Sequence, residues 1–274
     1  MQYILILFSL ISINLVYSFQ SKMMMNLGDN NHQIIGNKFN RLLPEIEAKT
    51  ILTQNNAYGV LSTLNRKSNL KGFPYGSLVG FSLTDNDKPF FIFSDLSLHT
   101  RNLIINNTAS LYVNEYGFKM ATDSRVSITG KLTTTNDCNN YYKNKYLKYH
   151  PNADWINLPD FKVYIMNEIC DISFVGGFGK ATKIRLKDYE SALVDPIIFE
   201  IDEYVDYINK NFYNLIYEYI SNKLHYDIEN YYIKNLDSQG LNIIYDNSNF
   251  IRIPFETKVY TIEDLKYALI KLLS

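Results

Sequence analysis

From Tyr58 to Phe174 the chain is a series of short apolar, β-branched and aromatic runs, each closed by turn residues, and this constrains the fold more than anything else in the sequence. Tyr58 to Leu64 (YGVLSTL) leads into the loop NRKSNLKG. Ser77 to Leu83 (SLVGFSL) runs into the turn Thr84-Asp85-Asn86-Asp87, and Pro89 to Phe93 (PFFIF) comes directly after it. Run, turn and run is a hairpin signal. Leu111 to Asn114 and Arg125 to Thr133 add two strands. Phe161 to Phe174, apolar at Val163, Ile165, Ile169 and Ile172, reads as a long strand ending in Gly176-Gly177-Phe178-Gly179. Helical spacing marks residues 42–56, a short segment between Ser94 and Asn107, and Asn139 to Pro151. So many short strands must hide their edges, which predicts a closed antiparallel barrel of six or more strands with helices between them.

Composition changes near Val194-Asp195-Pro196, and the remainder of the chain reads as helix, strands, helix. Val205, Ile208, Phe212, Leu215, Tyr219 and Ile220 put one apolar face on a helix over 202–224. Tyr231 to Leu236 and Leu241 to Tyr245 flank the four-residue connection Asp237-Ser238-Gln239-Gly240, and Phe250 to Phe255 adds a third strand. Thr261 with Asp264 three residues on is close to a capping box for the last helix. The organisation expected is a barrel domain over 42–192 and a small α+β domain over 195–274.

At the other end, Ile4 to Tyr17 is an apolar run too short to span a bilayer comfortably, followed by Ser18. Residues 1–18 read as a secretory signal peptide, which predicts no stable membrane insertion once it is removed. Residues 19–41 begin with Phe19 and are Asn-rich and poor in acids, a two-part leader of the kind used for complex plastids. Secretion with a polar linker is the other reading. Asn106-Asn107-Thr108 is a glycosylation sequon that matters only on the secretory route.

A net charge of −1 without a long basic block leaves no electrostatic footprint for nucleic acid. Cys138 and Cys170 fit no metal-ligand spacing, so no metal site is expected.

Several stretches together resemble one family. They are Tyr58 to Thr63, Gly72 to Ser77, Phe91 to Ser94 with His99 to Leu103, Arg125 to Gly130, His150-Pro151, Asp160-Phe161 and Gly176 to Ala181. In order and spacing they resemble the pyridoxamine 5'-phosphate oxidase-like, FMN-binding split-barrel superfamily, in its branch of HugZ-type haem-utilisation and plastid glutamyl-tRNA-reductase-binding proteins. The resemblance implies a mainly β fold with α: a six-stranded antiparallel split β-barrel followed by a small α+β domain. It implies a homodimer with ligands at the subunit interface. It places a phosphate at Ser94, His99, Thr100, Arg101 and Asn102, and a flavin ring beside Tyr75, Gly76 and Ser77. Donors at a strand end before a helix N-terminus suit an anion. Capping preferences alone make Ser94 a helix cap and Arg101 a solvated residue. Arg125 alternates with Val126 and Ile128, so it faces away from them and could meet a haem carboxylate, a partner's tail or a surface acid.

Haem requires an axial ligand, and His is the commonest. The chain offers His32, His99, His150 and His225. The family's haem-degrading members use a His close to the C-terminus, and its second domain begins with a His-Met-Asn-acid-Asp-His stretch. This chain has no His after His225, and Tyr207-Ile208-Asn209-Lys210-Asn211-Phe212 stands at the second place. The expectation is therefore a non-catalytic or regulatory dimer that binds haem or an enzyme of tetrapyrrole synthesis. The alternatives are an FMN-dependent oxidoreductase, haem degradation, and a secreted glycoprotein of the cellular-repressor (CREG-like) group.

Overall fold

The computed structural model describes residues 41–273, except 55–56, 116, 119–120, 122, 138–139, 177–179 and 247–248. The signal peptide over 1–18, nearly all of the leader over 19–41, His32, Cys138 and the glycines of the turn at 177–179 lie outside the described residues.

Alternating apolar residues build β1 (Tyr58–Leu64), β2 (Pro74–Gly80), β3 (Ser82–Leu83), β4 (Pro89–Ser94), β5 (Thr108–Asn114), β6 (Arg125–Thr135), β7 (Phe161–Gly176) and β8 (Lys180–Lys183). All pairings are antiparallel, in the order β2-β1-β5-β6-β7-β4-β3, with β8 returning along β7. Among the described residues the path has seven strands, with β8 beside it, where the resemblance implies six. The expected strand over 77–83 begins earlier, at Pro74, and is divided at Phe81. Pro74 lacks an N–H, which a strand start tolerates.

The first and last strands of this path, β2 and β3, are separated in the chain by Phe81 alone. The sheet therefore curls until its two ends meet through a covalent link, not through a hydrogen-bonded seam. A bend there would leave the Phe81 amide groups unpaired in a fully buried place, and both find partners. Its N–H donates to the Ala57 carbonyl at 3.2 Å, and His150 Nε2 lies 2.8 Å from its carbonyl oxygen. A carbonyl can only accept, so His150 carries its proton on Nε2.

The inner face packs Leu61, Leu111, Val113, Val126, Ile128, Phe91, Met166 and Phe174 with Ala48, Ile51 and Leu52 of α1 (Pro44–Thr53). α2 (Leu98–Ile105) follows β4, and α3 (Tyr141–Tyr149) covers the outside of β4. Phe90, Ile92, Val163 and Ile165 form a separate cluster with Tyr146 of α3. β4 is thus covered on both faces, which explains its unbroken apolar run. Lys49 of α1 is 2% exposed. Its ammonium is bonded to Asp87 (2.7 Å), the Glu190 carbonyl (3.2 Å) and the Ala192 carbonyl (2.8 Å), beside α4 (Leu186–Ser191).

A second core lies over β9 (Tyr231–Asp237), β10 (Gly240–Tyr245) and β11 (Asn249–Pro254), with α5 (Ile201–Asn211), α6 (Tyr213–Glu218) and α7 (Ile262–Leu273). The helix expected over 202–224 is interrupted at Phe212, whose backbone (φ −125°, ψ 1°) leaves the helical region. The break resets the register. Tyr204, Ile208, Ile216 and Ile220 are buried, while Leu215 is exposed. The hairpin connection is the shorter pair Ser238-Gln239, flanked by Asp237 and Gly240 at strand ends. The capping box before α7 forms: Thr261 Oγ1 accepts from Asp264 N at 3.2 Å, and Asp264 Oδ2 from Thr261 N at 3.0 Å. Buried Asp195 joins the two cores, since its N–H donates to Thr50 Oγ1 (2.9 Å) and its carboxylate accepts from Ser238 N (3.1 Å).

Replacing His150 with Phe keeps ring stacking on Tyr146 but strands the Phe81 carbonyl. We expect a loss of about 1–3 kcal/mol in urea unfolding, with part of it recovered by His150→Gln. Equal stability of His150→Phe and wild type would show that the bend needs no such partner.

Candidate functional site

Register sorts the candidate residues by face. Val60 pairs with Leu78 on one side and Tyr112 on the other, and Tyr112 pairs with Ser127. Ser62, Gly76, Ser110 and Thr129 form the next outward row. Leu78, Val60 and Tyr58 are 75%, 40% and 55% exposed, so an apolar strip lies open on the outside of the β2–β1–β5 end of the sheet. A Cβ at Gly76 would stand 3.3 Å from Val60, so glycine keeps that row low. Tyr58 sits edge-on to His150, with ring centroids 5.5 Å apart.

Of the three β2 residues expected beside a ring, only Gly76 shares this face. Tyr75 and Ser77 pair with Thr63 and Leu61, buried residues of β1, and so belong to the opposite side. Arg125 is on the open face, two residues before Ser127 and out of phase with buried Val126 and Ile128. Its guanidinium Nη1 donates to the carbonyls of Ala121 and Asp123, the latter at 3.2 Å.

The donors at the β4–α2 junction are not presented together. Ser94 is buried and donates to the Asp160 carboxylate, while its Oγ accepts from Leu96 N at 3.1 Å. It does not cap α2, whose N-cap position is Ser97 without a side-chain bond. Thr100 and Asn102 are wholly buried. Asn102 ties α2 to the barrel: its amide donates to Thr63 Oγ1 (3.0 Å) and accepts from Arg66 N (3.2 Å). Thr100 Oγ1 and His99 Nε2 are buried with no hydrogen-bond partner among the described residues. The His99 ring packs 4.4 Å from Phe93, and burial lowers its pKa. Arg101 alone of the five is exposed.

Sequence reasoning names the donor residue types; it quotes Tyr58, Val60, Thr63 and Asp160 within the family-like stretches but gives none of them, nor Leu78, a place at the site. Strand alternation carries the signal for Tyr58, Val60 and Leu78, because Leu61 and Thr63 claim the core side. Sequence reasoning also misses the charged group at the β5–β6 connection. There Lys234 of β9 bridges Glu115 (2.6 Å) and Asp123, and Ser124 donates to Glu47 of α1. Burial raises the pKa of Glu47, and burial likewise raises that of Glu115 against the pull of Lys234. Among the described residues no group of three or more His, Cys, Asp or Glu is placed to hold a metal. Cys170 is an exposed free thiol.

Comparison with known proteins adds to this geometry. The model of the family described as "CREG, beta-barrel" matches residues 45–191. The chain is 26% identical over 241 residues to "Non-canonical heme oxygenase HOZ, chloroplastic" of Arabidopsis thaliana, covering 85% of this chain and 74% of that protein. The structure of a heme binding protein from Mycobacterium smegmatis superposes with a TM-score of 0.59 at 21% identity, covering 85% of this chain and 97% of the other. At that identity the superposition establishes the split-barrel fold.

Burial lowers the pKa of both His99 and His150. Each imidazole is therefore held neutral in the fold, and its stabilising contribution is present above the unfolded value of about 6.5 and is lost as pH falls through the folded value. Unfolding free energy measured by urea titration should decline as pH is lowered from about 6.5. His99→Phe should flatten that decline. A variant with the same acid slope as wild type would remove His99 from the account. Asn102→Leu, which strands Thr63 Oγ1 and Arg66 N, should cost about 1–3 kcal/mol.

Proposed function

Because this chain belongs to the CREG beta-barrel family over residues 45–191, we propose that it binds haem non-catalytically on the open face formed by Tyr58, Val60, Leu78 and Tyr112, with Arg125 at the rim, as a homodimer whose second subunit covers that face. The observation that carries the reading is the exposed apolar strip itself. A contiguous apolar strip across three strands is costly to leave in water and marks a surface that something covers. Haem supplies an apolar disc and two carboxylates, which match the strip and a guanidinium at its edge. The name of the Arabidopsis relative supports haem as the class of ligand and a plastid-type organelle as the compartment.

His is the commonest axial ligand of haem iron, and neither His99 nor His150 offers this face a free Nε2. His99 Nε2 is buried, and His150 Nε2 is committed to the Phe81 carbonyl. Binding through apolar contact and Arg125 is what the described residues support.

The same test applied to FMN gives the opposite answer. Its phosphate would need open donors at the β4–α2 junction. Ser94, Thr100 and Asn102 are turned inward, and the Asp160 carboxylate on Ser94 repels an anion. The donor set does not fit the phosphate, so we derive no flavin chemistry from it.

Titrating the full-length chain with haemin and following the Soret band tests the reading. Leu78→Asp and Val60→Asp each remove the burial of one aliphatic side chain, and binding should weaken roughly tenfold to a hundredfold. Light scattering should report a dimer for wild type and a shift to monomer for Leu78→Asp. Unchanged haemin affinity and unchanged mass in both variants would sink the assignment of this face. Flavin absorption in the purified protein would overturn the exclusion of FMN.

A further inference from the structure

Lys234 stands at the border of the two cores, and its surroundings point toward the ligand face. It is 9% exposed and lies between two carboxylates, Glu115 at 2.6 Å and Asp123, which is 3% exposed. Glu115 and Asp123 belong to the connection between β5 and β6, whose ends are closed by Glu115 N donating to the Ser124 carbonyl at 2.9 Å. Ser124 is held in turn by Glu47 of α1. On the β9 side, Asn235 donates to the other oxygen of Glu115 at 3.5 Å, Asn242 to Asn235 at 2.7 Å, and Arg252 to Asn242 at 2.9 Å. The described residues of the connection are thus gripped from the second sheet and from α1. Arg125 is the next residue after Ser124, and its guanidinium donates to the backbone carbonyls of Ala121 and Asp123.

We propose that Lys234 of the second sheet is a positioning residue for Arg125: by holding the Asp123 carboxylate it fixes the backbone carbonyls of the β5–β6 connection that orient the Arg125 guanidinium at the rim of the open face. The proposal rests on the ligand-face reading for its consequence, but not for the contact itself. A lysine almost wholly withdrawn from water between two acids is a geometry with little slack. Aiming a bidentate donor at a ligand carboxylate needs such fixed supports. The second sheet in this account does more than pack beside the barrel, since it sets the angle of one ligand-facing side chain.

Two readouts on the full-length chain separate this proposal from the reading beneath it. The first needs no ligand: the rate at which phenylglyoxal modifies Arg125, followed by peptide mass spectrometry. Lys234→Met should speed it several-fold, and Lys234→Arg, which keeps the bridge to Asp123, should leave it near wild type. Asp123→Asn serves as the second variant if Lys234→Met does not fold, and should also speed modification. Wild-type rates in Lys234→Met, or in Asp123→Asn where that variant stands in, overturn the proposal whatever haemin does. The second readout is a double-mutant cycle on haemin affinity. Lys234→Met should weaken binding about tenfold in the wild-type background and leave the Arg125→Ala background unchanged, as for coupled residues. Equal weakening in both backgrounds overturns the relay. If Arg125→Ala binds haemin as wild type does while the modification rates behave as expected, the positioning stands and the haem role of Arg125 falls.

Discussion

The fold depends on the requirement that β2 and β3, the two ends of one sheet, meet at a single residue. A sheet whose ends are chemically joined at Phe81 must curl, and the curl decides which side of each strand becomes core. The cost falls on one residue, because a buried bend cannot donate to or accept from either neighbouring strand. Ala57 and His150 take over those two bonds. His150 in turn is held flat against Tyr146, 4.3 Å between centroids, at the end of α3. Gly80 has no room for a side chain, since a Cβ there would run into the Tyr146 hydroxyl. Helix α3, the His-Pro turn and the glycine before the bend are consequences of one closure.

Charge is buried where separate pieces of chain must be held together. Lys49 reaches from α1 to Asp87 and to the two carbonyls at the end of α4. Asp195 joins α1 to the β9–β10 turn. Arg252, 2% exposed, locks β11 to Asp237 and Asn242. Apolar contact would hold these pieces with less penalty for desolvation, but it would not dictate a register. Each of these charges has its donors or acceptors met by groups from different elements. We read them as fixing arrangement more than adding stability.

How much of this is legible in the sequence depends on whether the physics is local. β1 is readable to the residue because Gly59, Leu61 and Thr63 alternate with exposed neighbours. Pattern alone starts β2 three residues late because Pro74 and Gly76 look like turn chemistry, and only its place at the end of the sheet makes them acceptable. The helix over 202–224 fails at Phe212 because apolar residues continue on both sides of the break, so periodicity does not register the lost turn. Residue types at the candidate site are visible, but their direction is not. Ser94 ends a strand covered on both faces, and nothing near it in sequence announces Asp160 or the covering helix.

The contrast between the two ends of the sheet comes from that covering. At the β4 end, α3 closes over the outer face and Ser94 turns inward to Asp160, while α2 is tied to β1 through Asn102. At the β2–β1–β5 end no described helix lies over the outer face, and Val60, Leu78 and Tyr112 stand in register across three strands. A single curled sheet has both faces to cover and only a few helices to do it with. The curl itself covers the inner one, and α3 one stretch of the outer. Among the described residues, the remaining stretch leaves an apolar row in register uncovered, and that uncovered row, not the buried donors, is what the proposed ligand face is built on.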